Sequence, residues 1–138
     1  MKVKDVMRPR ADVIGADRTV QEAALMMEKN SYGSLPVSRN DKMIGMITDR
    51  DITIRVVAAG LDPKTTLVEQ CMSQGIEYCF DDEDLGVAAQ HMIRNKIRRV
   101  PVVNKSKRLV GMLSLGDIAT RGQNKNISHD LLSHVAQV

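Results

Sequence analysis

Two short segments of this chain pair a hydroxyl with a carboxylate at fixed spacing: Gly45-Met46-Ile47-Thr48-Asp49-Arg50-Asp51 and Gly111-Met112-Leu113-Ser114-Leu115-Gly116-Asp117. Each reduces to a glycine, two apolar residues, a hydroxyl, two variable positions and an Asp. If the apolar run is a strand and the Asp begins a helix, three groups face one small space: the hydroxyl, the carboxylate and the first free helix N–H groups. Such N–H groups attract phosphate. A carboxylate repels phosphate but accepts both hydroxyls of a vicinal diol. Ribose on Asp51 or Asp117, with phosphate near Thr48 or Ser114 and the N–H groups, meets those demands. The same spacing is also a helix-capping pattern, and both readings stand at this stage. Recurrence in two places favours a ligand role, although duplication would copy a cap as well.

The recurrence extends along the chain. Met7 falls on Met72 at an offset of 65 (72 − 7), and Val3/Val68, Asp17/Asp82, Ala23/Ala88, Ala24/Ala89, Met27/Met92, Asn30/Asn95, Pro36/Pro101 and Val37/Val102 are identities in that register. One residue enters after Val102, and at an offset of 66 (117 − 51) Gly45/Gly111, Met46/Met112, Asp51/Asp117, Ile52/Ile118 and Arg55/Arg121 match. The chain is thus two copies of one unit: a first repeat over 1–60, a linker over 61–67, a second repeat over 68–122, and a polar tail over 123–138.

Each copy reads in the same order. An opening segment (Val3 to Met7; Val68 to Met72) leads to a brief apolar stretch at Asp12-Val13-Ile14 or Glu77-Tyr78-Cys79. A helix follows, capped by Thr19, with Glu22 three residues on, or by Asp84. Val20, Ala23, Ala24 and Met27 mark its expected buried face in copy one, and Leu85, Ala88, Ala89 and Met92 in copy two. The acidic run Asp81-Asp82-Glu83-Asp84 suits a helix N-terminus. A hairpin comes next. Its first strand carries Leu35-Pro36-Val37 or Val100-Pro101-Val102-Val103, and polar turns lead to the Gly45 and Gly111 strands. A second helix is expected from about Asp51 and Asp117. The fold class is α+β, two β-α-β-β-α repeats. Ser128 can cap a short tail helix through Leu131, Leu132 and Val135.

Composition narrows the function. The chain of 138 residues has no Trp, one Phe and two Tyr, so the core is Val, Ile, Leu, Ala and Met. The nine Met read as adaptable core filler. The formal net charge of +3 is concentrated locally, at Arg94, Lys96, Arg98, Arg99, Lys105, Lys107 and Arg108. That cluster permits an anionic ligand. With no aromatic stacking platform, nucleic acid is a rival reading only. No apolar stretch reaches the roughly 20 residues of a membrane span, and the N-terminus has no signal-peptide core. The cytoplasm is the expected compartment, and Cys71 and Cys79, aligned with Val6 and Ile14, read as core thiols. His91, His129 and His134 lack zinc-site spacing, so no metal is expected. No nucleophile–base pair or Gly-rich phosphate loop suggests an enzyme.

The doubled β-α-β-β-α unit, the Pro-Val strands and the Gly-x-x-(Thr/Ser)-x-x-Asp junctions together resemble a tandem pair of CBS (cystathionine-β-synthase) domains, a Bateman module, over roughly Val3 to Arg121. Thr48-Asp49-Arg50-Asp51-Ile52 and Ala58-Ala59-Gly60-Leu61-Asp62-Pro63 further resemble small stand-alone bacterial proteins of the hypoxic-response type. The resemblance implies an intramolecular pseudo-two-fold pair with two clefts for adenosine ligands: AMP, ADP or ATP, or else S-adenosylmethionine or NAD, none of them a required cofactor. It implies ribose on Asp51 and Asp117, with Thr48 and Ser114 near ribose or phosphate. The backbone at Val13-Ile14 and Tyr78-Cys79 would edge the adenine, and Pro36 and Pro101 would stand in the pocket wall. Basic residues before the strand Pro meet phosphate in this family. Copy two has Arg98 and Arg99, whereas copy one has Gly33 and Ser34. Arg55 and Arg121, four residues after each Asp, are expected to pair with it along the helix. The implied protein is a homodimer that signals to an unknown effector protein. The alternatives are a nucleic-acid-binding module and a protein-interaction scaffold with empty clefts.

Overall fold

The computed structural model describes residues 1–9 and 12–122, so the expected tail helix, His129 and His134 lie outside the described residues. In chain order the elements are β1 (Arg8–Pro9), β2 (Ile14–Gly15), α1 (Val20–Asn30), β3 (Ser34–Arg39), β4 (Lys42–Thr48), α2 (Asp49–Ile52), α3 (Val68–Cys71), β5 (Cys79–Phe80), α4 (Leu85–Arg94), β6 (Arg99–Val103), β7 (Leu109–Ser114) and α5 (Leu115–Arg121). A turn of π-helix, Thr53–Val57, continues α2. The fold is α+β, with each repeat built on its own small sheet.

The compact bodies do not coincide with the sequence repeats. Asp12–Ile76 forms one unit, and the chain's first residues join the stretch from Glu77 onward in the other. The opening segments are exchanged. Val3 and Val6 are buried in the core of the second repeat with Leu85, Ala88, Val100 and Leu113. Val68 and Cys71 are buried in the core of the first with Val20, Ala23, Leu35 and Ile47. Burial of one such Val contributes about 1.5–3 kcal/mol, so each segment is held firmly on its host.

Backbone bonds repeat the exchange in register. Val3 N–H donates to Glu83 O, Lys4 N–H to Asp81 O and Leu85 N–H to Met1 O, at 2.9, 3.0 and 2.9 Å. Sixty-five residues apart (68 − 3), Val68 N–H donates to Arg18 O, Glu69 N–H to Ala16 O and Val20 N–H to Thr66 O, at 2.8, 3.0 and 2.9 Å. Part of the acidic run therefore serves through its carbonyls, docking the chain's start. Asp84 also caps α4 as expected, accepting from Val87 N–H at 3.2 Å.

In the Asp12–Ile76 unit β2 runs parallel to β3, with Ile14 beside Val37, and β3 pairs antiparallel with β4. In the other unit β5 is parallel to β6, with Cys79 beside Val102, and β7 lies antiparallel to β6. Both ladders shift register at the same place, after Val37 and after Val102. The added residue shows as a longer turn around Asn104, whose side-chain oxygen accepts from Ser106 and Arg108 N–H. The shorter turn of copy one places Asn40 and Asp41 both at positive φ, the tight geometry that fits the twist of a two-residue hairpin.

Proline in the middle of both hairpins has a specific cause. Pro36 lies opposite Met46. Met46 spends both backbone groups on Ser73: its N–H donates to Ser73 O at 3.0 Å and its carbonyl accepts from Ser73 N–H at 2.8 Å. Met46 therefore asks Pro36 for no N–H, and the missing donor costs no bond to β4. In the other unit Pro101 faces Met112, and Met112 faces Arg8 across β1–β7.

Two local expectations need correction. Ala24 is exposed, although its counterpart Ala89 is buried; the core face of α1 is the narrower stripe Val20, Ala23 and Met27. The second helices start at Asp49 and Leu115, because Thr48 and Ser114 are themselves the N-caps. Asp51 and Asp117 are therefore the third residues of their helices. In α1 the capping box is half made: Thr19 accepts from Glu22 N–H, while the Glu22 carboxylate turns to Arg18 at 2.6 Å.

Candidate functional site

Strand β4 ends at Thr48 and α2 begins at the next residue, so hydroxyl and carboxylate meet within one turn. Thr48 Oγ1 accepts from Asp51 N–H at 3.0 Å, and Asp51 Oδ2 accepts from Thr48 N–H at 2.9 Å. This is a complete capping box. The second carboxylate oxygen, Oδ1, is approached by the Ser73 hydroxyl at 3.4 Å, a long contact. Asp51 is half-buried and retains acceptor capacity on that oxygen.

At the second junction Ser114 Oγ accepts from Asp117 N–H at 3.0 Å. The Asp117 carboxylate, however, faces Arg8, whose Nε lies 3.1 Å from Oδ1 and 3.3 Å from Oδ2. The Asp117 side chain is 6% exposed and that of Arg8 is 64% exposed. Arg8 and Ser73 are equivalent residues (73 − 8 = 65), each directly after the matched Met. The exchanged segments thus deliver a side chain to each Asp: a neutral hydroxyl to Asp51 and a guanidinium to Asp117.

The glycine that opens each motif permits this delivery. A Cβ on Gly111 would lie 2.6 Å from Arg8 O and 2.8 Å from Met7 Sδ; one on Gly45 would lie 2.8 Å from both Ser73 O and Met72 Sδ. Only a residue without a side chain lets the opening segment cross there.

Arg55 does not pair with Asp51. It donates through Nη1 to the Cys71 and Met72 carbonyls, both at 3.0 Å, and so fastens the exchanged segment. Asp117 is paired with Arg8 in place of Arg121. Arg8 and Ser73 were missed in the sequence. Their signal in the sequence is the offset of 65 alone, at which the two residues differ (73 − 8 = 65).

The remaining candidates are distributed as follows. Arg99 opens β6 directly opposite Ser114, and the Arg98 carbonyl accepts from Leu115 N–H at 3.0 Å. Arg98, Arg99, Ser114 and Asp117 therefore belong to one strand–helix junction, joined by Arg8. Ser34 and Thr48 hold the matching positions in copy one, and Asp49 N–H bonds the Gly33 carbonyl at 2.9 Å. Pro36 and Pro101 are buried two residues along their strands. Val13 and Ile14, with Gly15, Arg18, Glu22 and Met26, line a pocket of about 340 Å³ against α1, and neither Thr48 nor Asp51 lines it. Tyr78 is exposed and meets Phe80 edge-to-face, with centroids 5.7 Å apart.

Both cysteines are free and buried. Burial pushes the Cys79 thiol up to about 12, with the Glu83 charge adding to the rise. Burial also raises Cys71, against the opposing pull of Arg55. Neither is placed for thiolate chemistry. His91 Nε2 lies 2.9 Å from Glu77 Oε2. Among the described residues no group of three or more His, Cys, Asp or Glu could hold a metal ion, and no helix is long and apolar enough to cross a membrane.

The CBS domain model matches residues 3–58 and 68–123. The chain is 34% identical over 134 residues to CBS domain-containing protein YhcV of Bacillus subtilis, covering 97% of this chain and 94% of that one. Among solved structures, Hypoxic Response Protein I with two coordinated zinc ions is 34% identical with a TM-score of 0.76, covering 88% of this chain and 98% of the other. CBSX2 in complex with AMP is 25% identical (TM-score 0.74; 87% and 94% covered). The CBS domain pair of MJ0100 in complex with 5′-methylthioadenosine and S-adenosyl-L-methionine is 26% identical (TM-score 0.76; 88% and 94% covered). With both halves matched, and with the same junction built twice, the chain belongs to the CBS-domain family as a tandem pair of CBS domains.

Proposed function

We propose that this CBS pair is a non-catalytic regulatory module: it binds an adenosine-type ligand, as a cytoplasmic homodimer, and passes its state to an effector protein. The observation that carries this reading is the hydroxyl–carboxylate pair at equivalent strand–helix junctions of both repeats, Thr48 with Asp51 and Ser114 with Asp117. AMP, 5′-methylthioadenosine and S-adenosylmethionine, the ligands of the two similar structures, share one adenosine. A diol acceptor recurring in each repeat suits that common part.

Asp51 and Asp117 hold ribose in this reading, with Thr48 and Ser114 beside it. Val13-Ile14 and Tyr78-Cys79 edge the adenine, and Pro36 and Pro101 wall the pocket. Arg98 and Arg99 meet phosphate, for which a guanidinium fork is well shaped. AMP, ADP or ATP is therefore favoured over an uncharged nucleoside at the second junction. The output is a population shift: ligand favours one arrangement of the module to the extent that it binds that arrangement better.

The test is a melting-temperature panel with adenosine, AMP, ATP and S-adenosylmethionine against guanosine, with mass spectrometry of small molecules released from the purified protein. A ligand at 100 times its dissociation constant adds about 2.7 kcal/mol of stability. An adenosine compound that raises the melting point supports the reading. A flat panel with no adenosine compound released defeats it, and a salt-dependent shift of labelled DNA would then favour a nucleic-acid module.

A further inference from the structure

The two junctions differ in what already occupies the carboxylate, and the difference is not in the shared motif. Asp51 is satisfied by its own helix, through Thr48 N–H, and by the long contact from Ser73. Asp117 is almost wholly covered, and its charged partner among the described residues is Arg8, which sits across both carboxylate oxygens. An ionised carboxylate buried without a partner is strongly destabilising. The buried Asp117 carboxylate needs a counter-charge, and the exchanged opening segment supplies one in Arg8.

We propose that Arg8 is a built-in competitor for the Asp117 junction: its guanidinium stands where a ligand's ribose hydroxyls would bind, so ligand enters only as Arg8 withdraws. This rests on the ribose role of Asp117 proposed above. Three observations support the competition. A diol needs both carboxylate oxygens, and both lie within 3.3 Å of the same Nε. With 6% of the Asp117 side chain exposed, no hydroxyl reaches it unless something moves, and Arg8, 64% exposed, is the charged group free to move. The Arg8 backbone is fixed, since β1 pairs with β7 at Met112 and Gly111, while the terminal guanidinium nitrogens make no bond with the described residues. The head can swing into water without moving the backbone, provided that a ligand's hydroxyls take its place on Asp117. Among the described residues the first junction has no such competitor, because Ser73 is neutral and short. For adenosine, which has no phosphate for Arg98 and Arg99 to hold, the Asp51 junction consequently fills at lower concentration, and the Asp117 junction sets a second, higher threshold.

The experiment uses the full chain with Asp51→Ala, so that the Asp117 junction alone reports, and adenosine as probe, so that loss of a positive charge does not act through phosphate. By titration calorimetry Asp51→Ala/Arg8→Ser, which installs the residue of the other repeat, should bind adenosine about tenfold tighter than Asp51→Ala. Arg8→Lys in the same background should fall between them. If Arg8→Ser loses the fold, Arg8→Gln keeps the bulk without the charge and should show the same gain. Equal or weaker binding by the Ser and Gln variants overturns the competition. Wild-type protein silent towards both adenosine and AMP is a different failure: it removes the ribose reading itself, and this inference with it.

Discussion

The Asp51 and Asp117 junctions share a motif, a capping hydroxyl and a strand–helix turn, yet they present different surfaces to a ligand. At Asp51 the carboxylate closes a capping box and keeps one oxygen nearly open, and the facing strand begins at Ser34, after Gly33. At Asp117 the carboxylate is buried under Arg8, and the facing strand begins at Arg99, after Arg98. The second junction thus carries Arg8, Arg98 and Arg99 where the first has Ser73, Gly33 and Ser34. A duplicated motif repeats geometry, while the residues that frame it differ in charge.

The largest break in that comparison should come from the motif glycines. Gly111→Ala forces a methyl to within 2.6 Å of the Arg8 carbonyl, and Gly45→Ala to within 2.8 Å of the Ser73 carbonyl. Overpacking of this kind costs about 1–3 kcal/mol. Urea denaturation should show both variants destabilised, Gly111→Ala the more so. Equal tolerance of both would mean that the segment crossing is looser than the geometry indicates.

A second difference is the thiol that opens β5: Cys79 stands where copy one has Ile14. A thiol raised to about 12 in the folded state, against an ordinary value of 9.0, keeps its proton where the unfolded chain releases it. Its contribution to stability is complete below pH 9 and is lost as pH rises through the folded value. Between these limits the loss approaches about 1.4 kcal/mol per pH unit. Cys79→Val should flatten the alkaline decline in stability relative to wild type; an unchanged slope would place the decline elsewhere.

The smallest effect is in the caps. Thr48→Ala and Ser114→Ala each remove one side-chain acceptor, at a cost of about 1 kcal/mol. Thr48 belongs to a reciprocal box and Ser114 does not. Thr48→Ala should therefore cost the same or more in thermal unfolding, and a larger loss for Ser114→Ala would show that the two hydroxyls are used differently.

Local signals in the sequence carried much of the fold. The offset of 65, the Pro-Val strands, the Thr19 and Asp84 caps and the apolar stripe of α4 depend on neighbours within a few residues, and each can be read from spacing. Which core receives the opening segment could not be. Val3-x-x-Val6-Met7 and Val68-x-x-Cys71-Met72 present nearly the same apolar face, so either core would accept either segment, and spacing has no preference. Arg8 was hidden for the same reason, since its partner Asp117 is 109 residues away. The expected Arg55–Asp51 pair failed because the exchanged segment brings two carbonyls within reach of Arg55. Each second helix starts two residues before the expected Asp, because Thr48 and Ser114 act as caps, the reading left open beside the ligand role.

The central claim is that Asp51 and Asp117 hold the ribose of an adenosine ligand, and calorimetric titration of AMP tests it most directly. Wild type, Asp51→Ala, Asp117→Ala and the double variant should be compared, each checked for a cooperative melting transition. Each single variant is predicted to lose binding at one junction, and the folded double variant to bind no AMP. A folded double variant that binds AMP with wild-type affinity would contradict the account.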